Sequence, residues 1–208
     1  GGYVAKSENI VVKALDLASL QSTKAFADGI LATEPRIDFL VLNAGIMALP
    51  SLERTDTGFE KQIGVNHFGH YYLTRLLLPK MLEQSHPSRV VTVASSAHSF
   101  GEVFPDDLNY RKGRAYSAWA AYGQTKGANI LFAKGLADRL QKKNSNIASV
   151  SIHPGVIRTN LWRASFLNQL ASFLVTSKSI PQGAATTVFA CVAPQIQEVD
   201  MQGAYLDD

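Results

Sequence analysis

Short apolar runs alternate with longer amphipathic stretches along most of this chain. Ile10–Ala14 (IVVKA), Ile37–Leu42 (IDFLVL), Arg89–Ala94 (RVVTVA) and Ile147–Ile152 (IASVSI) read as strands, and Gly203–Leu206 as a short last one. Ile37–Leu42 is nearly all apolar, as a strand covered on both faces should be. Between these runs, Ser19 is placed to cap a helix over Leu20–Leu31, with Leu20, Ala27, Ile30 and Leu31 on one side. A second helix is predicted from Thr57 to Leu82 despite Gly64 and Gly69, and a third over Tyr116–Lys142. Pro181 suits the first turn of a fourth, reaching Val192. Strands alternating with helices predict a parallel sheet covered on both faces, the doubly wound α/β class.

Composition narrows the picture. The 208 residues fit one domain, and 46% hydrophobic with 18% charged residues excludes a disordered chain. A lone Cys191 excludes a disulfide framework or a cysteine-rich zinc site and fits a reducing compartment, so a cytoplasmic location is expected. The net charge is only +3, and the densest basic group, Arg111, Lys112 and Arg114, reads as a solvated loop; no nucleic-acid partner is expected. No apolar run is long enough to span a membrane, and the first residues do not read as a signal peptide. In sheets of this class ligands bind beyond the carboxyl ends of the strands. Those ends carry Asp16, Asn43-Ala44-Gly45, Ser95-Ser96 and His153-Pro154-Gly155, which are turn formers singly and candidate site residues together.

The sharpest chemistry is Tyr122-Gly-Gln-Thr-Lys126. Residues four apart share one helix face, and an adjacent ammonium favours the phenolate, tuning the tyrosine towards proton transfer. Ser95, at a preceding strand end, can hydrogen-bond a substrate oxygen as charge develops on it. Asn66, mid-helix between Gly64 and Gly69, suggests a local distortion with a purpose.

Taken in order, Asp16, Asn43-Ala44-Gly45, Asn66, Ser95, Tyr122-x-x-x-Lys126 and Pro154-Gly155 with Thr159 resemble the short-chain dehydrogenase/reductase family over essentially the whole chain. Gly64-Val-Asn-His-Phe-Gly-His70, Ala97-His98, Asp107-Leu-Asn109, Ala121-Tyr-Gly-Gln-Thr-Lys126, Ala128-Asn-Ile-Leu-Phe132 and His153-Pro-Gly155 are similar to its retinol dehydrogenase and WW-domain oxidoreductase branch. The resemblance implies a Rossmann-like fold and hydride transfer between a nicotinamide cofactor and an alcohol or carbonyl. Tyr122 would then be the acid/base, with Lys126 lowering its pKa and holding the nicotinamide ribose. Ser95 would orient the substrate oxygen, and Asn66 would hold a water in a proton relay to Lys126. Asp16 and Leu17 would contact the adenine, and Asn43, Ala44 and Gly45 would line the cofactor cleft. Pro154, Gly155 and Ile157 would shape the nicotinamide pocket, and Thr159 would bond its carboxamide. The branch tilts the cofactor expectation towards NADP, with NAD as the alternative. A homodimer through the long helices near Asn66 and Tyr122 is expected by the same analogy.

Two departures stand out. Leu42 occupies a position where the family often has a further asparagine, and no Gly-x-x-x-Gly-x-Gly stands before Asp16 to cradle a pyrophosphate. Residues 1–208 are therefore expected to be one N-terminally incomplete domain, lacking the first strand–helix–strand portion. A non-catalytic binding or regulatory relative is the alternative this favours; an epimerase or dehydratase of the same superfamily is a third. His98 and His153 read as structural, no residue spacing argues for a metal, and Cys191 reads as packing. Ser96–Ala115 is long enough to be a functional loop. Trp162, Phe166, Leu167, Leu170, Phe173 and Leu174 form an apolar cluster that in the family would be a lid, which points to an apolar, retinoid-, steroid- or lipid-like substrate.

Overall fold

A computed structural model describes residues 10–157 and 178–207. Four parallel strands form one sheet in the order β1(Phe39–Leu42), β2(Ser88–Val93), β3(Ile147–Ile152), β4(Tyr205–Leu206). Helix α1(Leu20–Thr33) is capped by Ser19, whose side chain accepts from the Ser22 amide. Then come α2(Lys61–Ile63), a π-helical turn over Gly64–Gly69, α3(His70–Leu82), α4(Ala118–Gln141) and α5(Ile180–Val192). Serines cap both later helices: Ser117 opens α4, and Ser179 with Gln182 forms a capping box on α5. The predicted α/β alternation and parallel pairing are both present.

The register sets which side of the sheet each apolar residue serves. Leu40, Leu42 and Val90 join Leu73, Leu77 and Met81 of α3 and Leu136 and Leu140 of α4 in one core layer, with Ala27 of α1. Val91, Val93, Val150 and Ile152 face the other way, onto Ala190 of α5 and the turn at Ala193 and Ile196. β2 and β3 are buried along their whole length. That two-sided burial puts polar Thr92, Ser149 and Ser151 inside with the valines.

The first third of the chain departs from the prediction in three ways. Ile10–Ala14 is not a strand. Val12 is 91% exposed, and no described backbone pairs with the segment. β-branched composition supplies propensity, but a strand exists only when its ladder finds a partner. β1 is also open on one face, with Phe39 47% and Val41 38% exposed. Val41 pairs with Val91 and so lies on the α5 side, at the margin of the described sheet. The second helix begins at Lys61 rather than Thr57, because Arg54 and Glu60 close a hairpin-like bridge and the Glu60 carboxylate then caps the Gln62 and Ile63 amides.

The 96–115 loop is pinned down rather than loose. Two 3₁₀ turns punctuate it, Ser96–Phe100 and Pro105–Asp107. The Arg114 guanidinium lies over the Phe104 and Tyr110 rings at 4.3 and 3.8 Å, and donates to Asp107 O and to Gln124 Oε1 at 3.0 Å. Arg111 donates to Gly58 O at 2.7 Å. The basic group read as a solvated loop therefore contains two arginines that tie the loop to its surroundings. Among the described residues no helix is long and apolar enough to cross a membrane.

Candidate active site

Parallel register brings the strand ends to one edge. Leu42 pairs with Thr92, and Thr92 with Ser151, so Asn43-Ala44-Gly45, Ser95 and His153-Pro154-Gly155 all emerge on the same side of the sheet. Asp16 and Leu17 reach that side before α1. The Asp16 carboxylate accepts from the Ala18 amide at 2.9 Å, and Leu17 is buried against Gly69, where a Cβ would lie 2.5 Å from Leu17 O. Ile157 packs onto α5, where a Cβ on Gly183 would meet its side chain. Thr159 and the apolar cluster from Trp162 to Leu174 lie outside the described residues.

Asn66 sits inside the π-helical turn and is fully buried. Such turns interrupt the regular ladder and are frequent at functional sites. The Asn66 amide reads both backbone groups of Ile46: Oδ1 accepts from the amide at 2.8 Å and Nδ2 donates to the carbonyl at 2.8 Å. Nδ2 also donates to Thr125 Oγ1 at 3.1 Å, and the Asn66 carbonyl faces His70 Nδ1 at 3.1 Å. Gly45 makes room for this, since a Cβ there would stand 2.9 Å from Asn66 Oδ1. The side chain thus ties the 43–46 turn to α4.

Each residue of Tyr122-Gly-Gln-Thr-Lys126 has a separate task. Ser95 Oγ accepts from the Ala97 amide at 3.2 Å and acts on the Tyr122 phenol, lowering its pKa. Ser96 is exposed, which singles out Ser95 of the pair. Gly123 lets the segment after Ser95 cross α4 backbone to backbone: a Cβ on Gly123 would lie 2.5 Å from Ala97 O, and one on Gly101 2.2 Å from Ala120 O. Gln124, fully buried, holds the long loop through Leu108 O at 3.1 Å and Arg114. Thr125 carries the Asn66 contact. His98 Nδ1 lies 2.8 Å from Ser95 O and so steadies the serine's backbone.

The electrostatics revise one expectation. Burial pushes the Tyr122 phenol up to about 12, only partly offset by Ser95. Lys126 does not lower it. Its Nζ lies 5.6 Å from the Tyr122 ring centre and donates to Val93 O at 3.0 Å. Burial brings Lys126 down to about 8, and among the described residues no carboxylate pairs with it. Burial also holds His70 neutral, down to about 4.

Lysine carries three N–H donors, and Val93 O is the one acceptor the described residues offer Lys126. A buried ammonium with donors to spare fits a polyhydroxyl ligand such as a nicotinamide ribose. The 208 residues contain no Gly-x-x-x-Gly-x-Gly for the pyrophosphate end.

The pattern Tyr-x-x-x-Lys marks two positions. The sequence reading gave no separate task to Gln124, Thr125 and Asn129, which lie on the same helix. Their signal is polarity on a helix that should be apolar where it is buried.

The model of the short chain dehydrogenase family matches residues 3–105. Mouse retinol dehydrogenase 14 is 42% identical over 205 residues, spanning 96% of this chain and 59% of that protein. Human retinol dehydrogenase 13 is 40% identical over 209 residues, spanning 97% of this chain and 61% of its own length. The chain therefore spans about three fifths of these relatives. Among solved structures, a 3-ketoacyl-(acyl-carrier-protein) reductase from Brucella melitensis complexed with NADH superposes with a TM-score of 0.66 at 25% identity, over 93% of this chain and 74% of that one. Sheet order, strand-end residues and sequence matches converge, and the chain belongs to the short-chain dehydrogenase/reductase family, where it is similar to the retinol dehydrogenases.

Proposed function

We propose that this chain carries the catalytic part of an oxidoreductase acting on an alcohol/carbonyl pair with a nicotinamide cofactor. The observation that carries this reading is Ser95 beside the Tyr122 phenol, lowering its pKa, with buried Lys126 one helical turn away. A bound nicotinamide would supply or accept the hydride. With its pKa near 12, Tyr122 holds its proton at neutral pH and can give it to a carbonyl oxygen as that oxygen gains charge. Ser95 would donate to the same oxygen, and its own position is fixed by Ala97 and His98. Working in the alcohol-oxidising direction, Tyr122 must ionise, and the Lys126 ammonium favours that once it turns from Val93 O towards the phenol and the ribose. Asn66 would hold the cleft wall by fixing Ile46 against α4. Asp16, Leu17, Asn43, Ala44, Gly45, Pro154 and Gly155 would line the cofactor side; Ile157 would act through its packing on α5.

The substrate we propose is an apolar carbonyl of retinoid, steroid or lipid-like type, supported by the similarity to retinol dehydrogenases. NADP is the proposed cofactor, with the same support. The test is reduction of retinal and of a short polar aldehyde by the purified protein, with NADPH and NADH in parallel. Preference for retinal and NADPH is expected, with turnover lost in Tyr122→Phe. Undiminished turnover in that variant overturns the reading.

A further inference from the structure

Val93 O lies at the buried end of β2, and two side chains of α4 donate to it. Lys126 Nζ approaches at 3.0 Å and Asn129 Nδ2 at 3.2 Å. Residues three apart on a helix share a face, so one carbonyl can meet both. Asn129 is itself buried, and its amide cannot turn away, because Oδ1 is held by His67 Nδ1 at 3.1 Å. With Oδ1 as acceptor, His67 must carry its proton on Nδ1, and burial keeps the ring neutral. The arrangement therefore runs His67 to Asn129 to Val93 O, with Lys126 as the second donor on the same oxygen.

A buried carbonyl with two donors is redundant. If Lys126 were its sole partner, swinging the ammonium towards a ribose or a phenolate would orphan the oxygen, which costs a factor of about ten or more in an equilibrium. We propose that Asn129, locked by His67, is a positioning residue that keeps Val93 O satisfied and so leaves Lys126 free to move into the reaction. This rests on the reading of Lys126 given above, in which the lysine must change partners between binding and chemistry. It assigns a task to Asn129 and His67 that the Tyr-x-x-x-Lys pattern does not contain.

The redundancy can be measured without cofactor. The experiment is a double-mutant cycle of Lys126→Met and Asn129→Leu, read by urea unfolding of the whole chain at pH 7. In the native background Lys126→Met removes a buried charge and leaves Asn129 on the carbonyl, so the unfolding constant should fall. In the Asn129→Leu background the same change orphans Val93 O, and the two effects should be non-additive by about tenfold. Asn129→Ala serves if the leucine variant does not fold. A second readout follows Lys126 by NMR of the ¹⁵N-labelled ammonium. With Asn129 gone, the unshared bond favours the charged form, so the titration midpoint should rise from near 8. Additivity within about twofold, or an unmoved midpoint, overturns the proposal. Full turnover in Tyr122→Phe would instead overturn the oxidoreductase reading and leave this cycle standing on its own result.

Discussion

The two halves of α4 are buried by opposite chemistry. From Ala121 to Asn129 the buried residues include Tyr122, Gln124, Thr125, Lys126 and Asn129; from Ala133 to Leu140 they are Ala133, Leu136, Ala137 and Leu140. The second half contributes Leu136 and Leu140 to the layer that holds Leu77 and Met81 of α3. The first half spends its burial on hydrogen bonds to Asn66, Leu108 O, Arg114 and Val93 O. Apolar burial stabilises outright, whereas a satisfied polar group roughly breaks even and a buried charge costs free energy. One helix thus holds a destabilised working end in place by the packing of its other end.

Tyr122→Phe probes the working end alone. Removing one hydroxyl from a buried ring that stacks edge-on against Trp119 at 6.0 Å should leave the melting temperature nearly unchanged. Steady-state turnover should fall by about 10²–10⁴-fold, the usual share of a positioned acid/base. Leu140→Ala probes the other end. Leu140 is buried in the α3–α4 layer, so the cavity should cost about 2–5 kcal/mol in urea unfolding. Turnover per folded molecule should stay the same. A variant of either kind that moved both quantities equally would dissolve the contrast between the two halves.

The same contrast decides what could be read from the sequence. β2 and β3 were legible because each carries a β-branched run, Val90-Val91-Thr92-Val93 in β2 and Ile147, Val150 and Ile152 in β3. The caps Ser19, Ser117 and Ser179 mark helix starts, although only Ser19 was anticipated. The distortion at Asn66 was legible too, since an asparagine between two glycines is a poor helix centre, and a π-helical turn is what stands there. Ile10–Ala14 was misread because propensity says nothing about a pairing partner. The pKa of Tyr122 was misread for a related reason. Spacing places a lysine on the same face, but whether its ammonium meets the phenol or a backbone carbonyl depends on Val93, 33 residues away in sequence.

Lys126→Met sharpens the comparison by converting one polar burial into an apolar one, and its sign depends on pH. In the unfolded chain the lysine titrates near 10.5, and in the folded chain near 8. Below pH 8 both states hold the proton, and the folded state bears the full cost of a buried ammonium. A difference of this size corresponds to about 3 kcal/mol. As pH rises from 8 towards 10.5 the folded state releases its proton first, and that cost disappears. The methionine variant should therefore be more stable than the native chain at pH 7, by up to about 3 kcal/mol, with the gain shrinking through that window as followed by urea unfolding at each pH. Asn129 keeps Val93 O bonded in the variant, so no orphaned carbonyl offsets the gain. A Lys126→Met variant that is less stable than the native chain at pH 7 would show that the ammonium holds the two halves together rather than straining one of them.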